Sequence, residues 1–201
     1  MSASKINVAK QAMEFIQDKL TSSMIIGIGT GSTVNCFIDE LGESSHLFKG
    51  AVSSSNASSK LLESKGIEVF SLNDVNGIDF YIDGADEFDS NFALIKGGGG
   101  ALTREKIVAQ SSKSMIVVAD DSKRVSILGN FDLPVEILQF EWERTRDRIS
   151  KICSGEVSLR GGSTPFITDN GGYILDCSCL LYTSDAADEG LGVDLGGRRI
   201  I

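Results

Sequence analysis

Met24-Ile25-Ile26-Gly27-Ile28-Gly29-Thr30-Gly31-Ser32-Thr33 is an apolar run that stops in a cluster of glycines and passes directly into a helix-forming segment. An apolar run bounded by glycine reads as a buried strand, and Thr33 to Leu41 suits a helix starting right after the loop. The same unit recurs downstream. Ala51-Val52 is a short strand leading into Ser53-Ser54-Ser55-Asn56, whose side chains favour capping a helix over Ala57 to Lys65. Ile67 to Phe70 and Ile78 to Ile82 read as strands, Leu102 to about Gln110 as a helix, and Met115 to Ala119 as a strand. Upstream, Ile6, Ala9, Met13, Ile16 and Leu20 recur at helical spacing. Strands alternating with helices predict an α/β fold: a Rossmann-like parallel sheet with helices on both faces and functional loops at the strands' carboxyl ends.

The rhythm changes near Phe131-Asp132-Leu133-Pro134. A strand over Val135 to Leu138, a helix around Trp142 to Ile152, and short strands near Glu156 to Leu159, Phe166 to Thr168 and Tyr173 to Leu175 predict a smaller α+β domain. The boundaries are therefore set at residues 1–130 for the α/β domain and 131–178 for the α+β domain.

A chain of 201 residues with 41% hydrophobic content can bury a substantial core. No apolar run approaches the roughly 20 residues needed to span a bilayer, and the first ten residues read as neither signal nor transit peptide. The expectation is a cytoplasmic protein. A net charge of -9 argues against nucleic acid or an anionic membrane as partner, so an anionic ligand must be met by local cations and amides. The cysteines, Cys36, Cys153, Cys177 and Cys179, lack zinc-type spacing and are expected to be reduced; His46 is the only histidine and reads as a solvated loop residue. No metal site and no cofactor are expected.

Three stretches carry chemistry. In Gly27 to Thr33 a glycine loop between strand and helix lets backbone N–H groups approach an anion at a helix N-terminus, although the same glycines also serve a tight turn. Ser32 stands where a dinucleotide fingerprint has glycine, the next strand ends in Ser53 rather than an acid, and no Lys-Ser or Lys-Thr follows the loop. Neither a dinucleotide site nor a nucleotide P-loop is supported. In Asp83-Gly84-Ala85-Asp86-Glu87 the carboxylates could be turn formers, metal ligands or catalytic groups. Lys96-Gly97-Gly98-Gly99-Gly100 shortly afterwards favours a functional role, because such a run is entropically unfavourable unless backbone must approach something. Glu105 sits in the first turn of the next helix, where it could complement the dipole, complete a cap or serve as a general base. Together the three stretches suit a proton-shuttling enzyme acting on a phosphorylated polyol.

In wording, order and spacing these motifs resemble type A ribose-5-phosphate isomerases. The similarity runs from about Lys5 to Cys177 and takes in Gly50-Ala51-Val52-Ser53-Ser54-Ser55, Asp120-Asp121-Ser122-Lys123, Ile127-Leu128-Gly129, Leu133-Pro134-Val135-Glu136 and Thr168-Asp169-Asn170-Gly171. The resemblance implies interconversion of D-ribose 5-phosphate and D-ribulose 5-phosphate through a cis-enediolate, in the non-oxidative pentose phosphate pathway, without metal or organic cofactor. It implies Glu105 as catalytic base, Asp83 and Asp86 as sugar-hydroxyl contacts that assist ring opening, and Lys96 as support for the developing oxyanion. Thr30, Gly31, Ser32, Thr33, Lys123 and Lys5 would hold the phosphate or line the site, with Gly84, Ala85, Gly97, Gly98 and Gly99 also lining it. A homodimer or higher homo-oligomer is implied for the full-length protein. Two alternatives find less support: a sugar-phosphate-sensing transcription regulator should carry a basic DNA-binding helix pair, and a dehydrogenase fails on the fingerprint.

From Cys179 onward the text resembles the in-frame translation of a transposon-type sequencing adapter, first over Cys179 to Glu189 and again over the last ten residues. Residues 179–201 are expected to be a non-native tail, and the chain a truncated isomerase.

Overall fold

The computed structural model describes residues 2–178 and 198–200. Along the chain run α1 (Ala3–Gln17), β1 (Ile25–Ile28), α2 (Ser32–Glu43), β2 (Gly50–Ser53), α3 (Asn56–Ser64), β3 (Ile78–Asp83), β4 (Glu87–Phe88) and β5 (Leu94–Ile95). Then follow α4 (Leu102–Gln110), β6 (Ser112–Val117), β7 (Leu133–Ile137), α5 (Trp142–Ile149), β8 (Val157–Leu159), β9 (Tyr173–Cys177) and β10 (Arg198–Ile200).

Among the described residues two units interleave along this order: residues 2–85, 103–123 and 198–200 form one, and residues 86–102 and 124–178 the other. The sequence boundary at residue 130 thus differs from the division in space, because the chain leaves the first unit after Ala85 and returns to it within α4. In the first unit the expected α/β architecture is present, a sheet ordered β10-β6-β3-β1-β2 with all neighbours parallel. Alternation along the strands separates two cores. Ile26, Ile28, Ile82 and Ile116 meet Ala9, Met13 and Ile16 of α1, Val34, Phe37, Ile38 and Leu41 of α2 and Leu62 of α3. Ile25, Val52, Ile78 and Tyr81 meet Val108 of α4. Fully burying each such aliphatic side chain stabilises the fold by roughly 1.5–3 kcal/mol.

The α3 start follows the expected chemistry, with Ser55 Oγ accepting the Ser58 N–H. The expected strand at Ile67 to Phe70 does not form. Val69 makes one isolated bridge to Ala51 before the chain enters a Ser71-capped 3-10 turn over Leu72–Asp74.

The second unit holds the β4–β5 antiparallel hairpin and an antiparallel sheet ordered β7-β9-β8. Trp142 and Ile149 of α5 pack on this sheet, Trp142 edge-on to Tyr173 at 6.4 Å between ring centroids. The expected strand at Phe166 to Thr168 is also absent. Thr168 is taken up by a turn instead, its Oγ1 accepting the N–H groups of Asn170 and Gly172. Cys36 and Cys177 are buried thiols outside any disulfide, whereas Cys153 is disulfide-bonded, which corrects the expectation of reduced cysteines there. The tail reading over 179–197 lies outside the described residues; Arg198–Ile200, which the sequence does not suggest as a strand, pairs in parallel with β6. Among the described residues no helix is long and apolar enough to cross a membrane.

Candidate active site

Adjacent parallel strands β1 and β3 end side by side, with Ile28 opposite Ile82, so the loops after them emerge together. Asp83, the last residue of β3, is fully buried. Its Oδ1 accepts the Gly84 N–H at 2.8 Å and the Thr30 N–H at 3.2 Å, and its Oδ2 accepts the Tyr81 hydroxyl at 2.5 Å. Gly29 makes this approach possible, since a Cβ there would sit 2.0 Å from Asp83 Oδ1. Gly27 does the same for the tyrosine ring, 2.9 Å from where a Cβ would stand.

Glu105, in the first turn of α4, is 3% exposed. Tyr81 reports its proximity: burial first, then the charges of Asp83 and Glu105, push the phenol well above its ordinary 10.0. Thr30 and Ser54 hydroxyls lie 2.9 Å apart on the other side of the loop, and Ser54 also hydrogen-bonds Tyr81. Neither Tyr81 nor Ser54 was singled out in the sequence. The signal for Tyr81 was available, because residues two apart on a strand share a face and Tyr81 stands two before Asp83.

The glycine loop divides its amides. Gly29 and Thr30 donate inward, to Ile82 O and to Asp83. Ser32, Thr33 and Val34 form the first turn of α2, whose N–H groups have no acceptor within the helix. Gly31, at φ +130°, makes the bend into that turn with open space where a side chain would be. Lys5 of α1 donates to Ser32 Oγ at 2.8 Å. Lys5 and Lys123 also help lower Asp120's pKa, after the larger effect of the Ser122 hydroxyl bonded to that carboxylate. Thus the structure gathers Thr30, Ser32, Thr33, Lys5 and Lys123 at one end of the parallel sheet.

The second unit holds the other expected residues. Asp86 Oδ2 accepts the Gly98 N–H at 2.7 Å, and Gly100 N–H donates to Gly97 O at 2.9 Å, folding the glycine run into a turn. Lys96 precedes this turn and is half-buried; Gly97 is buried and Gly99 exposed. Glu87, 4% exposed, accepts the Gly129 and Phe131 N–H groups, a bracing role that the sequence does not signal. Gly84 and Ala85 continue from Asp83 to the unit boundary. Among the described residues no group of three or more His, Cys, Asp or Glu side chains is placed to hold a metal ion.

A buried carboxylate pair, a glycine loop opening a helix and flanking lysines stand at the carboxyl end of the parallel sheet, where α/β enzymes bind their ligands. Residues 50–191 match the family model described as ribose 5-phosphate isomerase A (phosphoriboisomerase A). The structure is similar to ribose 5 phosphate isomerase A from Neisseria gonorrhoeae, with 40% identity over 94% of this chain and 83% of that one and a TM-score of 0.81. It is similar to the enzyme from Methanocaldococcus jannaschii, with 35% identity over 89% and 80% and a TM-score of 0.81. A D-ribose-5-phosphate isomerase in complex with phospho-erythronic acid matches at 37% identity over 87% and 78%, with a TM-score of 0.79. The chain belongs to the ribose 5-phosphate isomerase A family, and it is an isomerase.

Proposed function

We propose that this chain interconverts D-ribose 5-phosphate and D-ribulose 5-phosphate, with Glu105 as the proton shuttle. The observation that carries this reading is the placement of two buried carboxylates, Asp83 and Glu105, around Tyr81, beside a glycine loop and lysines suited to an anion. A solved relative binds phospho-erythronic acid, a phosphorylated polyhydroxy acid of the same ligand class.

In this scheme the first-turn amides of α2, with Thr30, Gly31, Ser32, Thr33, Lys5 and Lys123, hold the phosphate. Asp83 and Asp86 contact sugar hydroxyls and assist ring opening. Glu105 removes the C2 proton of the open-chain aldose. The C2–H electron pair becomes the C1=C2 bond of a cis-enediolate, and the former carbonyl oxygen takes the negative charge, met by Lys96. Glu105 then returns its proton to C1 as the C2 hydroxyl loses its own and becomes the ketone; the O2 proton ends on O1. Gly84, Ala85, Gly97, Gly98 and Gly99 line the path with backbone. Donors fixed before the charge develops lower the barrier because nothing need reorganise. The reaction needs neither metal nor organic cofactor. We assign it to the non-oxidative pentose phosphate pathway in the cytoplasm, with a homo-oligomer as the working assembly.

Ketose formation tests the reading. Ribose 5-phosphate should give ketose and unphosphorylated ribose should not; no ketose from ribose 5-phosphate overturns it.

A further inference from the structure

We propose that Arg160 is a positioning residue for the Lys96–Gly100 loop, a role that rests on the isomerase reading above. A run of four glycines has the greatest backbone freedom of any sequence, so its working conformation must be imposed from outside. One tether comes from Asp86, whose Oδ2 accepts the Gly98 N–H. The opposite side of the same peptide segment is held by Arg160, whose Nη1 donates to Gly98 O at 3.0 Å; its 3.5 Å approach to Gly97 O adds little.

The guanidinium is itself fixed. Its Nε donates to Asp176 Oδ2 at 2.9 Å and its Nη2 to Asp176 Oδ1 at 2.5 Å, a bidentate pair that leaves Nη1 aimed at the loop. Both side chains are less than a fifth exposed, so the pair is only weakly screened. Asp176 lies on β9 and Arg160 directly follows β8. A line of contacts therefore runs from the three-stranded sheet through Asp176, Arg160 and Gly98 to Asp86. Space around Gly98 is full: a Cβ there would lie 2.4 Å from Asp86 and 2.9 Å from Phe131. With the carbonyl released, the peptide can rotate, and Asp86 and neighbouring Lys96 lose their fixed relation to the backbone.

Lysine cannot replace this group, because an ammonium offers no planar fork to hold Asp176 and Gly98 at once. Arg160 also borders an open cleft lined by Gly98, Phe131, Asp132, Phe166 and Asp176, which gives a small cation access to the vacated position.

The test uses the 201-residue chain, the Arg160→Ala, Arg160→Lys and Asp176→Asn variants, and glycine-labelled amide spectra beside the ketose assay. In Arg160→Ala, kcat should fall roughly tenfold or more with KM within about threefold, and millimolar methylguanidinium should restore part of it. Arg160→Lys should stay impaired, and Asp176→Asn should fall between it and the parent. The Gly98 amide should exchange faster in all three. A kcat within about twofold of the parent in Arg160→Ala, or an unchanged Gly98 amide in the folded variants, overturns the proposal. Failure of Arg160→Ala to fold leaves Arg160→Lys and Asp176→Asn to decide on the same two readouts. A parent chain that makes no ketose counts against the isomerase reading instead, and the Gly98 amide then decides the tether by itself.

Discussion

Tyr81 donates its hydroxyl to Asp83 Oδ2 at 2.5 Å, with both side chains fully buried at the carboxyl end of the parallel sheet. With the Thr30 and Gly84 amides on Oδ1, this bond places donors on both oxygens of a carboxylate that has no access to water. The tyrosine is therefore part of how Asp83 is kept in place.

Tyr81→Phe should destabilise the protein by about 1–3 kcal/mol, because a buried carboxylate loses a hydrogen-bond donor. The difference from the parent should also depend on pH. Burial, Asp83 and Glu105 raise the phenol's pKa in the fold, so its contribution is fully present below the ordinary 10.0 and is lost as pH rises beyond that value. Urea midpoints of parent and variant should therefore converge above about pH 10; a gap that stays constant to pH 11 contradicts this placement.

Gly98→Ala should lower kcat at least about tenfold, since its Cβ must displace the Asp86 carboxylate or the Phe131 ring and break the Gly98 N–H bond to Asp86. Steady-state rates on ribose 5-phosphate read this directly. Turnover near that of the parent would remove the Asp86–Gly98 contact from the mechanism.

The phosphate end is open to a charge test. Lys5→Met and Lys123→Met should each raise KM by roughly tenfold with a smaller change in kcat, because a remote anion contact is made equally before and during the reaction. Lys5 is the sharper case, since it reaches from α1 to bond Ser32 in the first turn of α2. Unchanged KM in both would move the phosphate elsewhere.

Period and punctuation made the first unit legible. The strand-to-glycine run ending at Ile28, the apolar Ile78 to Ile82 and the helix at Leu102 were readable because each pattern is local. Ile67 to Phe70 and Phe166 to Thr168 looked like strands for the same reason. Whether such segments pair depends on what lies beside them: the first is reduced to a single bridge from Val69 to Ala51, and a threonine-centred turn takes up the end of the second. Asp83 and Glu105 were legible as carboxylates near glycine loops, but their shared neighbour Tyr81 is a tertiary fact. Glu87 and Arg160 act on backbone 42 and 62 positions away, and no local pattern signals such a reach.

We further propose that residues 179–201 are non-native, from their likeness to a translated adapter. Two findings stand on the other side: the family match continues to residue 191, and Arg198–Ile200 extends the parallel sheet. A genomic read through the Asp176 and Cys177 codons decides between them. It should depart from the printed residues after Ser178; an uninterrupted frame encoding Leu180 to Ile201 as printed rejects the proposal.

The central claim, that Glu105 carries the proton between C2 and C1, is tested most directly by ketose formation from ribose 5-phosphate in chelator-treated protein, parent beside Glu105→Gln. The parent should keep its full rate after chelation, whereas Glu105→Gln should lose turnover while binding sugar phosphate within roughly tenfold of the parent, because the amide keeps the shape but cannot accept the proton. Near-parent turnover in Glu105→Gln would remove the glutamate from the mechanism, and a parent rate lost to chelation and restored by one divalent ion would recast Asp83 and Asp86 as metal ligands.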